Sequence, residues 1–215
     1  MSSFINSKIV TVLVGPDEVE YYFHKDILVD SCPFFAKCLS VNMEEHLANI
    51  VRMPEDTTRA FHLLTLHLYG KTIPALTHML NVLDNIEAWI LADKLCMPHF
   101  QDILMARMMR YTEYNYIFPG YLADPSIVLN PDSILGKFLR DQVIHDMARA
   151  AGTLSGAVYS GMSEETWDGL LGNGVVDSRM ILDLVTAAKS TPVNPSKQGC
   201  KYHVHGTTGV CMVPN

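Results

Sequence analysis

Residues 8–14, Lys8-Ile9-Val10-Thr11-Val12-Leu13-Val14, form a run rich in β-branched and aliphatic side chains that closes on Gly15-Pro16-Asp17-Glu18. Val19-Glu20-Tyr21-Tyr22-Phe23 follows directly. β-Branched and aromatic side chains fit a pleated surface and glycine and proline interrupt it, so the pattern predicts a hairpin. Residues 24–29 and 32–39 predict two short helices. The second opens at Pro33, because a first helical position has no intrahelical use for an N–H. A third strand is predicted over 49–53, stopped by Pro54.

Downstream the apolar spacing lengthens to three and four. Glu55-Asp56-Thr57-Thr58 puts acids and hydroxyls where a helix start offers unpaired N–H groups. Phe61, Leu64 and Leu68 then form one stripe. Helices are predicted over 80–97, with Val82, Leu83, Ile86, Trp89 and Ile90 on the apolar face, and over 100–111. Between 116 and 131, aromatics, prolines and Gly120 break the pattern, and a boundary is expected there. Beyond it a helix is predicted over 131–151, a short one from Ser163-Glu164-Glu165, and a last one over 177–189. Pro192, Pro195, Gly199, Gly206 and Gly209 predict a flexible or extended tail. The expected organisation is an α+β domain over 8–111, a linker over 112–130, a helical extension over 131–189 and a flexible tail over 190–215.

Composition narrows the function classes. Of the 215 residues, 48% are hydrophobic, enough for a sizeable core, and only 18% are charged, which argues against wholesale disorder. A net charge of −7 disfavours direct nucleic-acid binding, which needs a basic face. No apolar run approaches the ~18 residues of a membrane span. The N-terminal segment lacks a basic region followed by an apolar stretch, so no secretory signal is expected. Five scattered cysteines, Cys32, Cys38, Cys96, Cys200 and Cys211, read as reduced thiols. The expectation is an intracellular protein of cytoplasm or nucleus, without membrane partners.

Several short phrases recur in a telling order. Phe23-His24-Lys25-Asp26-Ile27-Leu28 is followed by Cys32-Pro33-Phe34-Phe35, then by Glu45, Ile50, Met53, Phe61 and Tyr69, and later by Ala92-Asp93-Lys94-Leu95. Over residues 8–111 these resemble the BTB/POZ family. Cys32 stands where that family usually has Ser, and Tyr69-Gly70-Lys71 departs from its Tyr-Thr-Gly. The short chain and the C-terminal His-x-His are similar to small fungal members. The resemblance implies a small mixed sheet with a cluster of helices, used for protein–protein interaction rather than catalysis. It implies a homodimer, with Ile27, Leu28 and Phe4 or Ile5 as contributors. It also raises a substrate adaptor of a cullin-type ubiquitin ligase, with Met43, Glu44 and Glu45 as the contact. Read as physical chemistry alone, Leu28, Phe35, Phe61, Leu64 and Leu68 are core, and His24 caps or packs at the hairpin-to-helix junction.

The tail holds the one set of candidate ligands. His203 and His205 lie on one side of an extended segment, because strand side chains alternate. With Cys200 and Cys211 they would complete a tetrahedral Cys2His2 zinc site and a metal-stabilised docking tail. The spacing differs from a standard finger, and a tail with no cofactor is the competing reading. Signatures of catalysis fail. The glycines of 156–163 are spaced like a phosphate loop, but Met162 stands where lysine is needed. Gly152-Thr153-Leu154-Ser155-Gly156 misplaces serine for a nucleophile elbow. His145 and Asp146 are adjacent on a helix, diverge by about 100° and read as solvated. No enzyme is expected.

Overall fold

β1 (Ile9–Val14) is the central strand of a three-stranded sheet ordered β2-β1-β3. It pairs antiparallel with β2 (Val19–His24) and parallel with β3 (Ile50–Met53). In the computed structural model, the described residues are 7–40, 44–117, 122–123, 127–150, 163–172, 176 and 193–205. The helix predicted over 177–189, the glycine-rich stretch of 152–162, Phe4, Ile5, Met43 and Cys211 lie outside them. The fold is of mixed α+β class. By contact density the chain divides into two compact units, Met1–Ala75 with Asp84–Leu104, and Leu76–Leu83 with Met105–Asn215.

In the first unit, the sheet register decides which side chains reach the core. Val10 faces Phe23, Val12 faces Tyr21 and Val51, and Val14 faces Met53. Val10, Val12 and Val14 are fully buried, and Phe23, Val51 and Met53 nearly so. Each such side chain contributes roughly 1.5–3 kcal/mol by leaving water. The opposite face mixes Ile9, Leu13, Tyr22 and Ile50 with Thr11, Glu20 and Arg52, and Ile9 and Tyr22 are 49% and 62% exposed.

Two short helices follow the hairpin, α1 (Lys25–Ser31) and α2 (Pro33–Cys38), with Pro33 at the first position of α2. Leu28, Cys32 and Phe35 are fully buried. Cys32 joins the helices, its thiol 3.5 Å from the Leu95 carbonyl oxygen. Burial is the main reason its pKa is pushed up to about 11. His24 stands at the N-cap position of α1, but its side chain does not cap that helix. Its Nδ1 lies 2.9 Å from the Tyr69 hydroxyl, with the rings edge to face. α3 (Glu44–Ala48) then leads into β3.

α4 (Thr58–Leu68) begins where the hydroxyl and acid cluster predicts. Thr57 Oγ1 accepts the Ala60 N–H at 3.2 Å and donates to Glu87 at 2.6 Å. Arg59 pairs with Glu87 as well and reaches Asp84 at 3.6 Å. α5 (Met79–Lys94) contributes to both units. It is not the one-sided helix that the spacing predicts: Val82, Leu83, Ile86, Ala88, Trp89, Leu91 and Ala92 are buried together with Asn85 and Glu87. The buried polar pair is tolerated because both side chains are hydrogen-bonded, Asn85 to the Leu104 carbonyl at 2.9 Å and Glu87 as above. α6 (Pro98–Thr112) also spans the division.

In the second unit, α7 (Ile134–Ala150) is the long element. It starts at 134 rather than 131 because Ser133 caps it, its Oγ accepting the Gly136 N–H at 3.0 Å. His145 and Asp146 correct the expectation that they are solvated, being 6% and 0% exposed. Asp146 accepts the Ile117 N–H and the Gln142 side-chain amide, each at 2.9 Å, and His145 Nδ1 lies at 3.4 Å. Burial pushes the Asp146 carboxyl up against the lowering effect of those donors. α8 (Glu164–Gly172) opens with the acids predicted for its first turn.

Candidate metal centre

Residues 193–205, within the stretch expected to be a flexible tail, form two short 3-10 turns, Pro195–Lys197 and Gly199–Tyr202. The first is capped by Asn194, whose side chain accepts the Ser196 N–H at 3.0 Å. The second starts at Gly199, where φ is +56° and glycine carries no steric penalty. Tyr202 then anchors the segment. It is 2% exposed, lies edge-on to Phe138 of α7 at 5.2 Å, and its hydroxyl donates to Asp141 at 2.6 Å. Burial, and then the Asp141 carboxylate, hold the phenol well above its usual pKa, so it stays a donor. Lys201 reaches the same carboxylate oxygen at 3.2 Å.

After Tyr202 the backbone extends, with His203 at φ −91° and ψ 142°. Alternation along such a segment brings His203 and His205 to one side, and their ring centroids are 5.7 Å apart. The preceding turn carries Cys200 to them. One ligand atom from each of Cys200, His203 and His205 falls within 4.8 Å of the others. In a tetrahedral thiolate–imidazole site, bond lengths near 2.0–2.3 Å put donor atoms about 3.3–3.8 Å apart, so a modest side-chain closure brings all three onto one ion. The trio can coordinate a metal ion such as zinc. Cys200 is exposed and both histidines are half-buried, so an ion has a route in.

The same segment borders a cavity of about 380 Å³. Met109 and Arg110 of α6, with Glu113 just beyond its end, form one side, and Lys197 and His203 the other. Neither Arg110 nor Lys197 has an ion pair among the described residues. Arg110 also adds to the potential felt by Arg107, whose guanidinium is pushed down first by burial and then by that neighbouring charge.

The other candidate residues are placed as follows. Ile27 and Leu28 are 6% and 0% exposed, held inside their own chain. Glu45 is half-buried in α3, and its charge contributes, after burial, to the raised pKa of Cys38. Leu47 on the same short helix is 81% exposed. The cavity cations Arg110 and Lys197 were not singled out by sequence, since lone basic residues so far apart carry no local pattern. Among the described residues, no helix is long and apolar enough to cross a membrane. The chain matches no protein-family model and no curated protein.

Proposed function

We propose that the chain is a non-catalytic protein-interaction module of BTB/POZ type that self-associates through the outward face of its sheet. The observation that carries this reading is the exposure of Ile9 and Tyr22, 49% and 62%, on the sheet face opposite the core, where Leu13 and Ile50 also lie, interleaved with Thr11, Glu20 and Arg52. The order of hairpin, paired short helices, third strand and helices is the one on which the family resemblance rests, and it supports the same reading. Covering the exposed Ile9 and Tyr22 removes apolar surface from water, and a second copy offers the same face to do so. Mass measured in solution at micromolar concentration tests this. A dimer that becomes monomeric in Ile9→Glu and Tyr22→Glu supports it, and a strictly monomeric wild type overturns it. In the ligase-adaptor form of this reading, Met43 and Glu45 contact a cullin; capture of a cullin by wild type, lost in Met43→Ala and Glu45→Ala, supports that form, and no capture ends it.

The Cys200, His203 and His205 cluster favours a second reading, a zinc-held C-terminal segment. Zinc suits a mixed thiolate and imidazole donor set in tetrahedral geometry. Cys211, the fourth candidate ligand offered by the sequence, lies outside the described residues. Protein purified without a tag under reducing conditions is expected to hold one zinc per chain, and none in Cys200→Ser with His203→Ala. Wild-type protein free of stoichiometric zinc sinks the reading.

A further inference from the structure

We propose that the cavity beside the metal cluster binds a small carboxylate, which completes the coordination of an ion held by Cys200, His203 and His205. The inference rests on the zinc reading above and adds a ligand to it.

Three features converge. His203 belongs to the cluster and also lines the cavity, so an ion on its imidazole sits at the cavity wall. Three protein donors leave one position of a tetrahedral ion to an outside ligand, the arrangement found where metal sites bind small molecules rather than only brace a fold. A divalent ion with one thiolate keeps a residual positive charge, and the cavity adds Arg110 and Lys197 against the single acid Glu113. Neither cation is spent on an ion pair among the described residues. Such a site attracts an anion.

Size and lining narrow the class. A volume of about 380 Å³ lies at the low end of small-molecule sites. Ala106 and Met109 supply an apolar wall beside the cations. A short aliphatic chain ending in a carboxylate fits both: one oxygen on the ion, the other facing the cations, the chain against Met109. Lysine and arginine then act by charge-assisted hydrogen bonds.

Cobalt(II) serves as the test ion, because its visible bands report coordination and a near-ultraviolet thiolate band reports Cys200. The full chain is loaded with cobalt and titrated with butyrate. Butylammonium, of equal chain length and opposite charge, is the control. The expected result is a thiolate-to-cobalt band on loading, then a saturable change in the visible bands with butyrate and none with butylammonium. Arg110→Met and Lys197→Met are expected to keep the cobalt spectrum and to weaken butyrate about tenfold each. If cobalt gives no thiolate band, the zinc reading and the carboxylate site fall together. If the thiolate band forms and butyrate leaves the visible bands unchanged, the zinc reading stands and the carboxylate site is overturned. That second outcome is also the one expected if Cys211 already fills the fourth position.

Discussion

The Tyr202 hydroxyl donates to Asp141 across 2.6 Å although the two residues lie 61 apart in sequence. With the edge-on contact to Phe138, this bond ties the cysteine and histidine segment to α7. Removing the hydroxyl alone, in Tyr202→Phe, is expected to cost about 1.5–3 kcal/mol, the value of a hydrogen bond to a charged acceptor. Tyr202→Ala also empties a buried ring site and is expected to cost about 3–5 kcal/mol if the whole unit feels it. Denaturant unfolding gives both numbers. Limited proteolysis after residue 193 separates local release of the segment from global loss: early cleavage with an unchanged unfolding midpoint means that the segment detaches alone.

His67 makes the first unit sensitive to acid. Its ring stacks on Phe100 at 4.3 Å with His99 at 6.2 Å, and burial, then His99, lowers its pKa from 6.5 to about 4. Between those values the unfolded chain binds the proton more readily than the folded one. Stability therefore falls as pH drops below 6.5, and this contribution stops changing below about 4. His67→Phe keeps a ring on Phe100 and is expected to flatten that part of the profile. Urea midpoints measured across this pH range check it; equal slopes in wild type and variant contradict the assignment.

Thiol chemistry gives a residue-resolved check on metal binding. Cys96 and Cys200 are exposed, whereas Cys32 is buried with its pKa pushed up to about 11. An alkylating reagent at neutral pH is expected to modify Cys96 and Cys200 and to spare Cys32, because the thiolate is the reacting form. Zinc added beforehand is expected to protect Cys200 and not Cys96, and chelation to restore reaction at Cys200. Peptide mapping reads the sites. Protection of both or of neither removes support for a metal at the cluster.

Gly136 tests the N-terminal turn of α7. A Cβ at this position would overlap the Asn130 carbonyl oxygen and press on Pro131 backbone atoms. Those atoms belong to the loop that also feeds the Ser133 cap and receives the Arg140 guanidinium at the Pro131 carbonyl, 3.1 Å away. Gly136→Ala is expected to destabilise by about 2–3 kcal/mol despite the higher helix propensity of alanine. A thermal midpoint equal to or above wild type contradicts the close approach.

Local chemistry made much of the first unit legible. β-Branched runs around Gly15 and Pro16 became β1 and β2, Pro33 opened α2, and Thr57 capped α4. The misreadings share a cause, which is that burial depends on distant chain. His145 and Asp146 look like surface residues until the Ile117 N–H, 29 positions away, arrives as a buried donor. α5 looks two-faced because Asn85 and Glu87 are polar, yet both find partners inside. In the candidate site, the pairing of His203 with His205 follows from alternation and was legible. The approach of Cys200 depends on the left-handed Gly199, and the cavity on α6 coming to lie beside the turns, and neither leaves a mark in sequence.

The parallel pairing of β1 with β3 has a consequence for biosynthesis. β1 leaves the ribosome well before Met53, and until then its second edge has no strand to meet. During that interval Val10, Val12 and Val14 sit in an apolar strand open along one side, the type of nascent segment that chaperones hold and that aggregates when they do not.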